Sequence, residues 1–119
     1  MLRVLNPRTG ATLAHSCREA TSLVRRTVGL LDRASLDEGE GLLIRPCSSV
    51  HCFFMRFPID VIFLNGDGRV LKLYSPLRPW RASSIVRGAK QTLELPAGTV
   101  ARTGTQIGDV LRLERRDAP

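Results

Sequence analysis

The feature that most constrains this chain is residues 47–65, a largely apolar run that contains one arginine and one aspartate. Within it, residues 59–64 are apolar on both faces of a strand, which is typical of a strand that is covered on both sides. Asp60 lies in this segment and Arg56 precedes it. Both charges need partners, because an unpaired buried charge costs several kcal/mol. We therefore predict a central strand in which Asp60 is buried and paired, with a loop backbone group, Arg56 or Arg81.

Length and composition indicate one folded domain. The chain has 119 residues, of which 43% are hydrophobic and 24% charged, as in ordinary globular proteins. We expect a single domain over residues 1–114 and a disordered tail over residues 115–119. Pro7 and Gly10 come before any apolar segment can form, so we expect no signal peptide. No apolar run approaches the ~20 residues that span a bilayer. The three cysteines lack a disulfide pattern, so we predict a cytoplasmic protein without membrane insertion.

Short apolar segments separated by turn residues predict about seven strands. They comprise residues 2–5, 11–14, 41–45, 59–64, 69–74, 89–95 and 109–114. Apolar and polar side chains alternate in residues 89–95, which predicts a half-exposed strand with Thr92 and Glu94 on the solvent side. Thr99 is expected to cap one short helical turn that ends at Gly104.

One longer helix is predicted over about residues 17–28. Ser16 and Glu19 fit a capping box, in which each side chain satisfies the other residue's backbone N–H. Apolar residues then recur at helical spacing, and Gly29 follows where a helix would end. Together these elements predict an α+β fold, mainly β, built as a small, partly closed antiparallel barrel.

The chain is strongly basic, with a net charge of +7 and a pI of about 10.6. All of its 18 basic residues except Lys72 and Lys90 are arginines, and most of them are scattered singly. Such a balance favours acidic partners. Nucleic-acid binding is therefore kept as an alternative function, although the arginines form no continuous cluster.

Four blocks of sequence resemble one known family in the same order. They are RTVGLLDR at 26–33, GLLI at 41–44, FMRFPIDVIF at 54–63, and LELPAGT at 93–99 followed by Gly108 and Asp109. The chain resembles domain of unknown function 192 over roughly residues 16–113. The resemblance implies a compact β-rich domain, and it implies no established activity.

Four soft or imidazole side chains, Cys47, His51, Cys52 and Met55, lie close in the sequence. Thiolate, imidazole and thioether groups suit zinc or copper(I). Adjacent residues of a strand point to opposite faces, however, so His51 and Cys52 share a metal only in an irregular loop. We therefore predict no bound metal and no other cofactor.

A thiol nucleophile is a second chemical interpretation of the same stretch. One of the three cysteines would attack, His51 would act as its base, and Asp60 or Asp109 would orient the histidine. This alternative is a Cys/His-dependent hydrolase or transferase. No known nucleophile motif surrounds these residues, so we favour a protein that is not an enzyme and assign no catalytic residue.

Trp80 is the only tryptophan, and it lies between Pro79 and Arg81 in a predicted loop. An aromatic residue beside arginine on a loop is typical either of a recognition surface or of a lid over the end of a barrel. We predict a small binding or accessory module that holds an anionic small molecule or an acidic peptide at the barrel mouth. The predicted ligand-binding residues are Cys47, His51, Arg56, Asp60, Trp80 and Arg81.

Overall fold

The computed structural model describes residues 1–20, 35–49 and 56–115. These residues form seven strands and one short helix, which confirms the prediction of a mainly β domain. The elements are β1 (Leu2–Asn6), β2 (Ala11–Ala20), β3 (Glu40–Ile44), β4 (Ile59–Leu64), β5 (Val70–Leu77), β6 (Gln91–Pro96), α1 (Thr99–Thr103) and β7 (Arg112–Arg115).

All seven strands belong to one sheet, in the order β5-β4-β6-β3-β2-β1-β7. Neighbouring strands are antiparallel, except that β2 and β3 are parallel. The predicted antiparallel arrangement therefore holds for every recorded strand pair except this one. A parallel pair needs a long crossover, and residues 21–39 supply one between the end of β2 and the beginning of β3.

The sheet curves until its two edges meet at one point. Arg69, just before the edge strand β5, forms an isolated antiparallel bridge with Val110, just before the other edge strand β7. The backbone N–H of Val70 also donates to the carbonyl oxygen of Asp109 at 2.8 Å. The remaining length of β5 has no neighbouring strand on its outer side among the described residues. The barrel is therefore only partly closed.

Gly68 makes this meeting of the edges possible. Its φ is +88°, and a Cβ built there would lie 2.7 Å from the carbonyl oxygen of Leu111. The same segment is held by a hydrogen bond from the Leu111 N–H to the Gly68 carbonyl oxygen at 2.9 Å. Only glycine fits so close an approach at positive φ without strain.

The two faces of the sheet carry separate apolar clusters. The inner cluster draws on strands from both edges and contains Leu2, Val4, Leu13, Ala14, Cys17, Leu43, Ile62, Leu64, Val70, Leu93, Leu95 and Leu111. The outer cluster contains Ala20, Leu36, Leu42, Ile44, Ile59, Val61, Phe63, Leu77 and Val86. Successive residues of β4 alternate between the two clusters, so this strand is buried at every position, as predicted.

The predicted helix over residues 17–28 is wrong at its beginning. Residues 17–20 belong to β2, and Ser16 and Cys17 pair with Glu40 and Gly41 of β3. Glu19 binds Arg45 and Arg115 instead of capping a helix. Pairing with β3 and burial of Cys17 in the inner cluster outweigh a local capping signal. Residues 21–28 lie outside the described residues.

The short helix α1 lies where a helical turn was predicted, and its C-cap is the expected Gly104, whose φ is 69°. Its N-cap is Gly98 and not the expected Thr99, whose hydroxyl donates to the Pro96 carbonyl oxygen at 2.7 Å. At the C-terminus, β7 extends to Arg115, one residue into the predicted tail, and residues 116–119 lie outside the described part of the chain. No helix among the described residues is long and apolar enough to cross a membrane.

Candidate functional site

Asp60 is buried and paired, which confirms that part of the prediction. Its side chain is 0% exposed, and its Oδ2 accepts a hydrogen bond from the Val100 N–H at 2.8 Å. The partner is thus a backbone group, and neither Arg56 nor Arg81 forms an ion pair with it among the described residues. Because Val100 packs against the inner cluster, Asp60 ties α1 to β4 at one end of the barrel interior.

Arg56, Trp80 and Arg81 lie at one end of the β4–β5 hairpin. Ile59, the first residue of β4, pairs with Leu77, the last residue of β5. The residues just before Ile59 and just after Leu77 therefore leave the sheet at the same end of this hairpin. Both arginines are exposed, and Trp80 is 60% exposed. These three predicted site residues therefore lie at the same end of the hairpin, whereas the Asp60 side chain faces α1 on the inner side of the sheet.

The segment after β5, residues 78–88, is here called the Trp80 loop. It returns across the outer face of the sheet, because the Ser84 N–H donates to the Tyr74 hydroxyl at 3.0 Å. Further along, the Val86 N–H donates to the Ser48 carbonyl oxygen at 2.8 Å, and Val86 packs in the outer cluster. The hydrogen bond with the Ser84 hydroxyl lowers the pKa of Tyr74. The loop is therefore fixed at its middle while its tip is exposed.

Cys47 lies away from this end of the hairpin. Its carbonyl oxygen accepts from the Thr92 hydroxyl at 3.2 Å, and Thr92 pairs with Phe63. Phe63 is four residues along β4 from Ile59, a distance of ~13 Å at strand spacing. The Cys47 thiol donates to the Ser49 carbonyl oxygen at 3.1 Å. The structure thus separates Cys47 from Arg56 and Trp80, while Val86 at the other end of the Trp80 loop binds the neighbouring Ser48.

The remaining members of the Cys/His stretch, which are His51, Cys52 and Met55, lie outside the described residues. The assignment of His51 as a ligand-binding residue stays a prediction. Within residues 1–20, 35–49 and 56–115, no group of three or more His, Cys, Asp or Glu side chains is placed to hold a metal ion.

Asp109, which the thiol interpretation used as an orienting carboxylate, is occupied elsewhere. Its carboxylate accepts from Arg8 Nε at 2.6 Å, from Asn6 Nδ2 at 2.9 Å and from the Gln106 N–H at 2.8 Å. The hydrogen bond from Arg8 holds the pKa of Asp109 well below its usual range. This network ties the turn after β1 to the segment before β7, so Asp109 stabilises the closing region of the sheet.

Glu94 is a buried acid that the sequence did not identify as such. The predicted half-exposed strand is wrong here, because β6 lies between β3 and β4 and both of its faces are covered. Glu94 is 5% exposed and pairs across the sheet with Leu42 and Val61 of the outer cluster. Its Oε2 has no hydrogen-bond partner among the described residues. Burial therefore raises the pKa of Glu94 to about 7.

A usable signal for Glu94 was present in the sequence. The strands that flank it in the sheet, residues 41–44 and 59–64, are apolar on both faces, which indicates that the outer face is covered. Assigning that environment to Glu94 required the strand order β4-β6-β3, which alternation in β6 alone does not reveal. Buried carboxyl groups with raised pKa values are frequent at functional sites.

A second feature that single motifs did not reveal is a long stretch without acidic residues. Residues 68–93 contain no Asp or Glu. They contain six exposed basic residues, Arg69, Lys72, Arg78, Arg81, Arg87 and Lys90. None of the six forms an ion pair with a described residue, whereas Arg3, Arg8, Arg45, Arg102 and Arg115 all do.

We call the exposed part of β5 together with the Trp80 loop and Arg56 the basic surface. Its cations are Arg56, Lys72, Arg78, Arg81 and Arg87. Two exposed apolar side chains lie among them, Trp80 and Ile85, and Ile85 is 79% exposed. The combination of unpaired cations and an exposed aromatic ring is the strongest candidate for a functional site in the described structure.

Two solved structures share this fold. One is a protein of unknown function from Novosphingobium aromaticivorans, with a TM-score of 0.80 and 22% identity, covering 93% of this chain and 82% of that protein. The other, from Sinorhizobium meliloti, is described as a candidate transcription regulator. It has a TM-score of 0.79 and 26% identity, and the match covers 94% of this chain and 91% of that protein.

Sequence relatives lead to one family. A UPF0127 protein of Pyrococcus furiosus is 36% identical over 115 residues, which cover 94% of this chain and 98% of the relative. A UPF0127 protein of Pyrococcus horikoshii is 34% identical over 98 residues, covering 80% of this chain and 84% of the relative. The family model DUF192, described as uncharacterized ACR, matches residues 4–113. The chain therefore belongs to the DUF192 family.

Proposed function

We propose that this protein is a binding module for an anionic ligand, which it holds at the basic surface. The observation that carries the proposal is the set of exposed basic residues around Trp80 that form no ion pair among the described residues. Like charges that lie close together repel one another, so an anionic ligand would relieve this repulsion as it binds. Arginine favours carboxylate and phosphate ligands, because its planar group donates two parallel hydrogen bonds.

The backbone of Trp80 supports a role in recognition. Its φ is 67°, in a region that residues other than glycine rarely adopt. The turn is closed by a hydrogen bond from the Arg81 N–H to the Arg78 carbonyl oxygen at 3.1 Å. A strained residue persists only where its surroundings impose the conformation, and such residues cluster at binding sites. Here the strained residue is the exposed Trp80, and Arg78 and Arg81 lie in the same turn.

The thiols of the described residues favour binding over covalent catalysis. Burial raises the pKa of Cys17 to about 12, so this thiol is protonated and unreactive at neutral pH. The Cys47 thiol donates to a carbonyl oxygen, and Cys47 lies at the other end of β4 from Arg56 and Trp80. Both cysteines are free, which supports the proposed cytoplasmic location.

Nucleic-acid binding is a second candidate function for the same surface. One observation favours it, namely the description of the Sinorhizobium meliloti structure as a candidate transcription regulator. The two candidates differ in salt dependence, because binding to a nucleic acid releases many counterions and weakens steeply with salt.

Calorimetric titration with two probes, hexaglutamate and a short single-stranded oligonucleotide, tests the proposal. Hexaglutamate should bind, and Arg81→Glu should weaken its binding by at least about fivefold. The matched control is Arg112→Glu, which makes the same change of charge at an exposed position of β7. Equal losses for the two variants would contradict a site at the basic surface. Binding of the oligonucleotide alone, with a steep salt dependence, would favour the second candidate.

A further inference from the structure

The outer edge of β5 offers backbone hydrogen-bonding groups to a partner. Val70, the first residue of β5, forms backbone hydrogen bonds with the segment before β7, and the pairing between the two edges stops there. From Leu71 to Pro76, the backbone has no partner other than β4 among the described residues. Lys72, Ser75 and Pro76 are exposed. An unpaired strand edge is a template for an additional strand.

We propose that the anionic ligand is an acidic peptide segment in extended conformation, which adds to the outer edge of β5 as a further strand of the sheet. This inference rests on the function proposed above, and it specifies the class of ligand and its mode of binding. In strand addition, main-chain hydrogen bonds contribute affinity, and side chains at alternate positions contribute specificity.

Charge selects the peptide along this edge. Lys72 is exposed on β5, and the strand leads directly to Arg78 and Arg81. The five residues 71–75 span about 17 Å at strand spacing, enough to bind a peptide of similar length. Acidic side chains at alternate positions of that peptide would lie near Lys72 and, beyond the end of β5, near Arg78 and Arg81. Pro76, near the C-terminal end of β5, has no N–H to donate, so it restricts the registers in which the peptide can pair with β5 there.

A second copy of the chain is a poor occupant of the same edge. Pairing two β5 strands would bring two basic surfaces together, on chains that each carry a net charge of +7. Pairing β5 with the other edge strand would place Lys72 near Arg112 and Arg115, which are also exposed. Like charges across adjacent strands are destabilising. An acidic partner is therefore the occupant that the charges favour.

The test uses a capped peptide of about nine residues in which glutamate and valine alternate. Two modified peptides keep its charge, one N-methylated at every valine and the other at every glutamate. A strand has two edges, and alternate N–H groups point to each, so strand addition predicts that the two modified peptides differ. The unmodified peptide should bind and slow amide hydrogen exchange at residues 71–75. One modified peptide should lose at least about tenfold in affinity, while the other should bind nearly as well as the unmodified one.

Protein variants complete the design. Lys72→Glu should weaken binding of the unmodified peptide, and Arg112→Glu on the other edge strand should not. Equal binding of all three peptides, each weakened by Arg81→Glu, would overturn strand addition and leave the proposed anionic-ligand function in place. Binding only to vesicles that contain phosphatidylserine would also overturn it, in favour of a membrane surface. Absence of binding to hexaglutamate, the peptides and the vesicles would overturn both proposals.

Discussion

At the scale of single residues, two buried carboxyl groups lie on neighbouring strands and face opposite sides of the sheet. Asp60 pairs across the sheet with Leu95, the residue that follows Glu94. Each has one buried carboxylate oxygen without a partner among the described residues, Asp60 Oδ1 and Glu94 Oε2. Asp60 Oδ2 accepts a hydrogen bond from the N–H of Val100 on the inner face, whereas Glu94 lies among apolar side chains on the outer face. The two acids therefore differ in what their substitution does to the protein.

Glu94 is expected to make stability depend on pH. Its pKa rises from an ordinary value of 4.5 to about 7 in the folded protein. Between these values the folded state keeps a proton that the unfolded state has lost, so the free energy of unfolding falls as pH rises. The loss is about 3 kcal/mol when it is complete above pH ~7. Glu94→Gln stays neutral, so it should remove this decline and be more stable than the wild type at pH ~8.

Urea denaturation of both proteins at several pH values between about 4.5 and 8 measures this difference. Asp67→Asn is the control, because Asp67 is exposed in the β4–β5 turn and forms no ion pair with a described residue. Parallel stability curves for the wild type and Glu94→Gln would show that Glu94 ionises normally in the folded protein.

Asp60 is expected to contribute through its hydrogen bond to α1. Asp60→Ala leaves the Val100 N–H without its acceptor, which should lower the free energy of unfolding by about 1–3 kcal/mol. Asp60→Asn keeps an acceptor oxygen and should cost less. With Arg56 or Arg81 as the partner, the same substitution would strand a buried cation and cost about 3 kcal/mol or more, but the observed partner is a neutral backbone group. Denaturant melts of both variants provide the measurement, and an Asp60→Ala variant as stable as the wild type would contradict the assignment.

At the scale of elements, local patterns predicted those parts of the fold in which local and tertiary preferences agree. The strand Ile59–Leu64 was predicted because its apolar residues need cover on both faces. The strand over residues 69–74 was predicted from turn residues that separate it from the preceding apolar segment, and the two strands pair as a hairpin. The capping pattern at Ser16 led to a wrong prediction of a helix from residue 17, because the parallel pairing of β2 with β3 has no signal in the neighbouring residues. Glu94 was misplaced for the same reason, since its burial depends on strand order.

The candidate site was predicted in part for a related reason. One end of the β4–β5 hairpin carries Arg56, Trp80 and Arg81. This placement follows from antiparallel pairing of two strands that are neighbours in the sequence. The face of Asp60 and the separation of Cys47 depend on α1 and β6, which contact these residues from distant parts of the sequence. The free edge of β5 is likewise a property of the sheet order and has no signal in the strand itself.

The closing region of the sheet is expected to depend on Asp109. Asp109→Ala removes the acceptor for Arg8, Asn6 and the Gln106 N–H, and should cost about 2 kcal/mol through the donors left unsatisfied. The pKa of Asp109 is depressed in the folded state, so this contribution is present above its ordinary value of 3.8 and is lost as pH falls below it.

Thermal melts at neutral and acidic pH measure this effect, with Asp67→Ala at the exposed β4–β5 turn as the matched control. The stability difference between the wild type and Asp109→Ala should shrink at low pH. A difference that stays constant down to about pH 2 would contradict the assigned role of the carboxylate.

At the scale of the whole molecule, charge is unevenly distributed over the sheet. Five described arginines have acidic partners, whereas the described surface over β5 and the Trp80 loop has cations alone. The five are Arg3 of β1, Arg8 in the turn after it, Arg45 just after β3, Arg102 of α1 and Arg115 of β7. The same side of the molecule carries the unpaired edge of β5 and the exposed Trp80. A single surface thus combines charge, an aromatic ring and backbone hydrogen-bonding groups, which together suit an acidic ligand.

The most direct test of this account is a titration of the isotope-labelled protein with hexaglutamate, followed by amide chemical shifts in NMR spectra. Binding at the basic surface predicts shift changes concentrated in residues 71–81 and at the indole N–H of Trp80, with little change in β1 and β7. Arg78→Glu combined with Arg81→Glu should abolish these changes. Shift changes centred on β7, or spread evenly over all exposed arginines, would contradict a ligand site at the basic surface.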